Sequence, residues 1–177
     1  MSISYRLRCA AFTLAASLLA GCSPTFNWRQ VPVGDAGVVV MLPCKPDRAT
    51  RQLPLGTEDI PVDMAGCHAG GATFAVAHAT ARSADQAEDW MRAWRAATRS
   101  QLGGVEVTEA AVVVPRAAAS PAPARLDTVE RSAAGAAHVL WFAQQRADGM
   151  ALYQATVLGS PSSAEALATF FEGMRVP

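Results

Sequence analysis

The stretch AAHVLWFAQQRADGMALYQATVLG, residues 136–159, constrains the fold more than any other. Two strand-like runs flank Ala147, Asp148 and Gly149, and aspartate followed by glycine is a strong hairpin signal. Strands joined by so short a turn are antiparallel, because a parallel neighbour requires a crossover of a dozen or more residues. Upstream, RLDTVERS (125–132) sets Leu126, Thr128 and Glu130 against Asp127, Val129 and Arg131, the alternation of a strand with one face toward water. VEVTEAAVVVP (105–115) reads as a further strand, and RAAASPAPA (116–124) as a loop within the domain.

The first half repeats this character. Trp28 and Val31 look like strand residues, and VVVMLP (38–43) is a β-branched run stopped by proline. CKPD then makes a turn. RQLPL (51–55) and IPVDMAGCHA (60–69) read as short strands. Pro54 and Pro61 place them at edges or strand ends. Gly70 and Gly71 turn the chain into ATFAVAHA (72–79), with Phe74, Val76 and His78 on one face.

Two helices interrupt the strands. SADQAEDWMRAWRAATRSQLGG opens with Ser83 and Gln86, the spacing of a capping box. It carries acids early and Arg95 and Arg99 late, as the helix dipole favours. Ala87, Trp90, Met91, Trp94, Ala97 and Leu102 follow the helical period, and Gly103 and Gly104 stop it. The final segment offers Ser162 and Glu165 as a second capping box and Leu167, Phe170, Phe171 and Met174 as one apolar face. Strands, a helix, four strands and a last helix make an α+β fold, a central antiparallel β-sheet with two main helices packed on it.

The N-terminus carries an address. MSISYRLRCAAFTLAASLLAGC begins with Arg6 and Arg8, continues with an apolar run over 9–20, and ends in small residues. That run is too short for the ~30 Å hydrocarbon layer, which takes about 20 apolar residues, and has the three-part build of a secretory signal. Its ending LAGC, 19–22, resembles the lipobox of bacterial lipoproteins. The resemblance implies a signal peptide over 1–21, cleavage before Cys22, and acylation of Cys22. It further implies a short tether over 22–27 and a domain over 28–177. Several acyl chains on one residue hold a protein to a membrane without a spanning helix. Ser23, where an aspartate would retain an enteric lipoprotein in the inner membrane, points to the outer membrane, facing the periplasm.

Cys9 falls within the removed segment and Cys22 carries lipid in this reading, which leaves Cys44 and Cys67. Outside the cytoplasm two such cysteines usually form a disulfide. Free thiols, or a metal site assisted by His68, are the alternatives, although no CxxC occurs.

A second resemblance covers part of the mature chain. GMALYQATVLGSPSSAEALATFFEGMRV resembles the end of PsbP-like domains, and VVVMLPCKP resembles their early strand. It implies an antiparallel sheet with helices over its faces. Its members act mostly as accessory or binding proteins, and it carries over no catalytic or metal residue.

The chemistry expected is correspondingly spare. No GxSxG, HExxH, phosphate loop or calcium loop occurs. His68, His78 and His138 are not at ligand spacing, and His78 and His138, on strands, read as hydrogen-bonded structural histidines. Fifteen basic and fifteen acidic residues balance, so no electrostatic footprint for nucleic acid is present. No enzyme activity, metal or cofactor is expected. The expectation is a lipid-anchored envelope lipoprotein acting as a non-enzymatic binding or accessory module for another envelope protein. The alternative is a periplasmic carrier of a small molecule or metal, or less readily a hydrolase. It would use a pocket between the first helix and the sheet, walled by Trp90, Trp94 and Trp141.

Overall fold

The computed structural model describes residues 24–35, 37–128 and 135–177. The signal segment, Cys22 and residues 129–132 of the alternating strand lie outside the described residues.

Seven strands form one antiparallel sheet in the order β3-β4-β5-β9-β8-β7-β6. They are β3 (Asp47–Leu55), β4 (Glu58–Ala69), β5 (Ala72–Ala81), β6 (Val107–Ala111), β7 (Ala124–Thr128), β8 (Ala137–Arg146) and β9 (Gly149–Gly159). A separate hairpin pairs β1 (Arg29–Val33) with β2 (Val38–Leu42). The Asp-Gly hairpin is the centre of the sheet: Arg146 pairs with Gly149, and the ladder runs to Ala137–Leu158. Both strands are covered on both faces, which is why their sequences are nearly continuously apolar.

Alternation along the strands divides the core in two. Toward one face point Val139, Trp141, Leu152, Ala77 and Val62, buried beneath α1 (Ala84–Gln101). Toward the other point Phe74, Val76, Phe142, Tyr153 and Val157, covered by the β1–β2 hairpin and α2 (Glu165–Glu172). Two helices thus pack on one large antiparallel sheet, an α+β arrangement.

The Ser83 hydroxyl caps α1 by accepting the Gln86 N–H at 3.2 Å, and the Gln86 side chain accepts from the Arg82 N–H at 2.8 Å. The expected capping box at Ser162 does not form. The N-cap of α2 is Ala164, without a side-chain bond, and the Ser162 N–H donates to Gly70 O at 2.7 Å. Strand lengths also differ from expectation. β3 starts at Asp47 rather than Arg51, and the run 105–115 leaves the sheet after Ala111, so that Val113 is 92% exposed.

Both prolines are accommodated as edge residues. β3 is an edge strand, and Pro61 pairs only with Gln52 of β3, because the β4–β5 ladder begins two residues later at Asp63–His78. Proline has no N–H to offer the β5 side, and there the two strands part.

Candidate functional site

The sheet has two distinct ends. At one end lie the β4–β5 turn, the start of β8 and Phe26, which packs against Phe74. At the other lie the β1–β2, β3–β4 and β8–β9 tips and the start of α1. The end that holds Phe26 is hereafter the proximal end; the second is the distal end.

Cys44 and Cys67 lie at the proximal end and are bonded, with Cα atoms 6.0 Å apart. The bond ties the segment after β2 to β4. His68 takes no part: its Nδ1 lies 3.2 Å from the Thr73 hydroxyl, and as the neighbour of Cys67 on a strand it faces the other side of the sheet. Among the described residues no three His, Cys, Asp or Glu side chains converge as a metal site requires.

The three tryptophans do not wall one pocket. Trp141 is fully buried, and its indole N–H donates to Gln154 Oε1 at 2.8 Å. The Arg95 guanidinium covers its ring at 5.7 Å from the centroid. Trp94 is buried against the sheet and borders a groove of about 250 Å³ beside the second half of α1. Trp90 borders clefts at the opposite end of the helix. Openings of about 250 and 350 Å³ remain between the second half of α1 and the sheet, and of the three rings only Trp94 borders one of them.

The open chemistry is at the distal end, where β4 and β5 part. A cleft of about 650 Å³ enters the gap between Asp59, Pro61 and Asp63 on β4 and His78 and Thr80 on β5, with Trp90 behind it. Glu58 accepts from the Gln86 side chain at 3.2 Å, bridging the β3–β4 tip to α1. Across this bridge a second cleft of about 630 Å³ runs between Gly56 and Asp89. The Thr50 hydroxyl donates to Asp63 at 2.6 Å, fixing that carboxylate on the cleft wall.

His78 is the unusual member. It is 5% exposed, and neither ring nitrogen has a hydrogen-bond partner among the described residues. Its ring lies 5.1 Å from that of Tyr153. Gly34, at φ +66°, lies so close that a Cβ there would sit 2.8 Å from the imidazole. Burial pushes the His78 pKa below its ordinary 6.5 against the opposing pull of Asp35 and Asp63, and Arg146 adds to the depression. The ring is therefore neutral at pH 7, with one donor and one acceptor unused. Leaving a buried polar group unsatisfied costs about 1–3 kcal/mol. The Tyr153 hydroxyl is likewise buried without a partner among the described residues, and burial pushes its pKa above 10.

His138 is the contrast. Its Nδ1 lies 2.6 Å from Asp127, which also accepts bonds from the Nε and Nη2 of Arg125, so it is the hydrogen-bonded structural histidine the sequence suggested. Burial would raise the Asp127 pKa, but the Arg125 and His138 bonds outweigh it and hold the carboxyl below 3.8. His78 departs from that expectation because its neighbours are a glycine backbone and a tyrosine ring. No sequence signal marks it, since its environment is assembled from β1–β2, β4, β5 and β9.

Carboxylates, a neutral imidazole and an indole can hold a ligand by charge, hydrogen bond and ring face. No helix among the described residues is long and apolar enough to cross a membrane. Neither a protein-family model nor a curated protein matches the chain.

Proposed function

We propose that the chain is a lipid-anchored bacterial envelope lipoprotein whose PsbP-like domain is a non-enzymatic binding module presenting its distal clefts to the periplasm. The lipobox resemblance supports the anchor, and the antiparallel sheet with cover on both faces is the arrangement the PsbP resemblance implies. The observation that carries the reading is the placement of Phe26 at the proximal end, opposite the clefts. Four residues from Cys22 to Phe26 span at most about 14 Å. A lipid at Cys22 thus holds the disulfide end near the membrane. The ten residues of β5 rise about 33 Å, which sets the clefts well away from it.

Two experiments test this. A Cys22→Ser form should be neither processed nor acylated; if it were still cleaved and membrane-bound, the anchor would be rejected. A photo-crosslinking residue at Asp59 should capture an envelope protein reproducibly, and one at Thr73, at the proximal end, should not. Recovery of the protein alone from both positions would count against a stable protein partner. The unsatisfied His78 favours a second reading, a periplasmic small-molecule carrier. A melting-temperature rise with a metabolite, absent from a His78 variant, would support it.

A further inference from the structure

We propose that the groove beneath the C-terminal end of α1 takes one acyl chain of a membrane lipid. The hydrocarbon character of the ligand rests on the groove itself. Its source in a membrane rests on the reading of Cys22 as a lipid anchor.

The groove exists because the helix is shorter than the sheet it covers. α1 begins directly after β5, at the distal end, and its 18 residues rise about 27 Å against about 33 Å for β5. Cover on this face accordingly fades along β9 toward the proximal end. Leu152 is fully buried, Gln154 and Thr156 are half-buried, and Leu158 is 48% exposed. β9 is the central strand of the seven, yet Leu158 is one of two large apolar side chains exposed among the described residues. The opening left beneath the helix end is about 350 Å³, within the range of small-molecule sites of about 300–1,000 Å³. A smaller opening of about 250 Å³ adjoins it, sharing Met64, Ala77, Thr98, Gln101 and Gln154.

The lining selects for hydrocarbon. Leu102, Val139 and Leu158 stand over Ala75 and Ala137, and no charged side chain among the described residues borders the larger opening. The polar side chains of its floor are turned to one another. Gln154 Oε1 accepts from the Trp141 indole N–H at 2.8 Å and from the Thr98 hydroxyl at 3.2 Å, and Gln154 Nε2 donates to the Thr156 hydroxyl at 3.2 Å. A charged ligand would lose its hydration there without gaining a countercharge, whereas an alkyl chain loses nothing. The mouth, between Gly135 and Leu158, opens at the end of the sheet that holds Phe26. Cys22 lies within about 14 Å of Phe26, so a lipid there brings the mouth to the bilayer surface. A chain gains little by leaving bilayer for groove, since both are apolar. The gain is the groove's own, because filling it takes the lining and Leu158 out of water.

Photo-crosslinking of the full chain in vesicles of phosphatidylethanolamine and phosphatidylglycerol tests this, with a phosphatidylethanolamine carrying a diazirine in one acyl chain as the probe. Adducts should map to Leu102, Val139 or Leu158. Ala75→Leu, which fills the floor, should cut their yield about tenfold, as added methylenes do in an apolar pocket, while keeping a cooperative thermal transition. Leu158→Gln, at the exposed mouth, should cut it too, and decides the matter if Ala75→Leu does not fold. Adducts confined to other surfaces, or an unchanged yield in the folded variants, would overturn the proposal. Flotation with the vesicles reads the anchor separately. If the chain does not float, diazirine-labelled palmitate in solution tests the groove alone. Adducts at the same three positions would then support the acyl-chain site, and their absence would overturn it. A floating chain labelled by palmitate but not by the phospholipid would overturn the membrane source.

Discussion

The proximal and distal ends of the sheet are built on opposite terms. At the proximal end Phe26 stacks on Trp28 at 5.9 Å, and both meet the edge of Phe74 at 6.4 and 6.1 Å. Phe74 in turn meets Phe170 at 5.5 Å, and the Cys44–Cys67 bond closes the same end. Backbone groups there are paired, Asn27 N–H with Pro43 O and Ser162 N–H with Gly70 O, each at 2.7 Å. At the distal end two strands separate, a histidine and a tyrosine hydroxyl lie buried without partners among the described residues, and the tips are held by exposed ion pairs. Packed aromatics and a crosslink maximise stability, whereas unsatisfied buried polar groups lower it. Such a cost persists in a folded chain when the group serves something other than folding. The difference places aromatic packing and the crosslink at the proximal end and the unpartnered buried polar groups at the distal one.

Paired truncations probe that difference most strongly. Phe74→Ala should lower the unfolding free energy by about 3–5 kcal/mol, because the ring is fully buried among three others and the space cannot collapse. Ile60→Ala, beside the distal cleft, should fall at the low end for such changes, about 2 kcal/mol, because the open cleft lets its surroundings relax. Urea denaturation of both variants checks this, and equal losses would break the comparison. Replacing Cys44 and Cys67 together by alanine should cost about 3 kcal/mol, from a crosslink joining residues 23 apart in sequence. A midpoint that did not change between oxidised and reduced wild type would show that the bond contributes nothing to the proximal end.

How far these ends were legible in the sequence differs for a physical reason. The Asp-Gly hairpin, the α1 cap at Ser83 and the Phe74–Val76–His78 face depend on residues close in sequence, and local patterns report them. Pairing of Cys44 with Cys67 was one of three open readings, favoured by compartment rather than by geometry. Helical spacing shows that Trp90 and Trp94 share a face but not what meets it; Trp141, from a distant strand, is buried in the same cluster, and the three rings do not border one common pocket. The distal cleft was not legible. It needs the splay at Pro61, the Gly34 backbone over His78 and the α1 start, brought together by long-range pairing. A proline inside a strand-like run was its one local trace.

The pH dependence of stability isolates the cost at His78. Burial keeps the folded-state pKa below 6.5, so between that lowered value and 6.5 the unfolded chain takes up the proton more readily. Stability is complete above pH 6.5 and declines as the pH falls from 6.5 through the folded pKa. The facing charges Asp35 and Asp63 soften the decline and Arg146 steepens it. Asp127 acts in a separate, more acidic window, its contribution present above 3.8 and lost as the pH falls through its lowered pKa. His78→Leu removes two unpartnered nitrogens at similar volume. It should gain about 1 kcal/mol at pH 7 and flatten the slope just below pH 6.5. Denaturation midpoints of both proteins from pH 5 to 8 check this, and a destabilised variant with the slope retained would mean that His78 is satisfied in solution.

The smallest effect concerns the strap over His78. Arg146 donates to Asp35 at 2.9 Å, joining the β8–β9 tip to the β1–β2 tip whose Gly34 lies on the imidazole. Arg146 also draws the Asp35 pKa down, after the larger effect of a backbone hydrogen bond. Asp35 is exposed, so the pair is screened by solvent and salt and should add little to global stability. Asp35→Asn should accordingly leave the denaturation midpoint where it is. It should instead free the tip, speeding amide exchange at Val33 and Val38 in low salt. At 1 M salt, where the screening length is about 3 Å, wild type and variant should exchange alike. A large loss of midpoint would show that the distal tips carry the fold as the proximal aromatics do, and the two ends would no longer differ in kind.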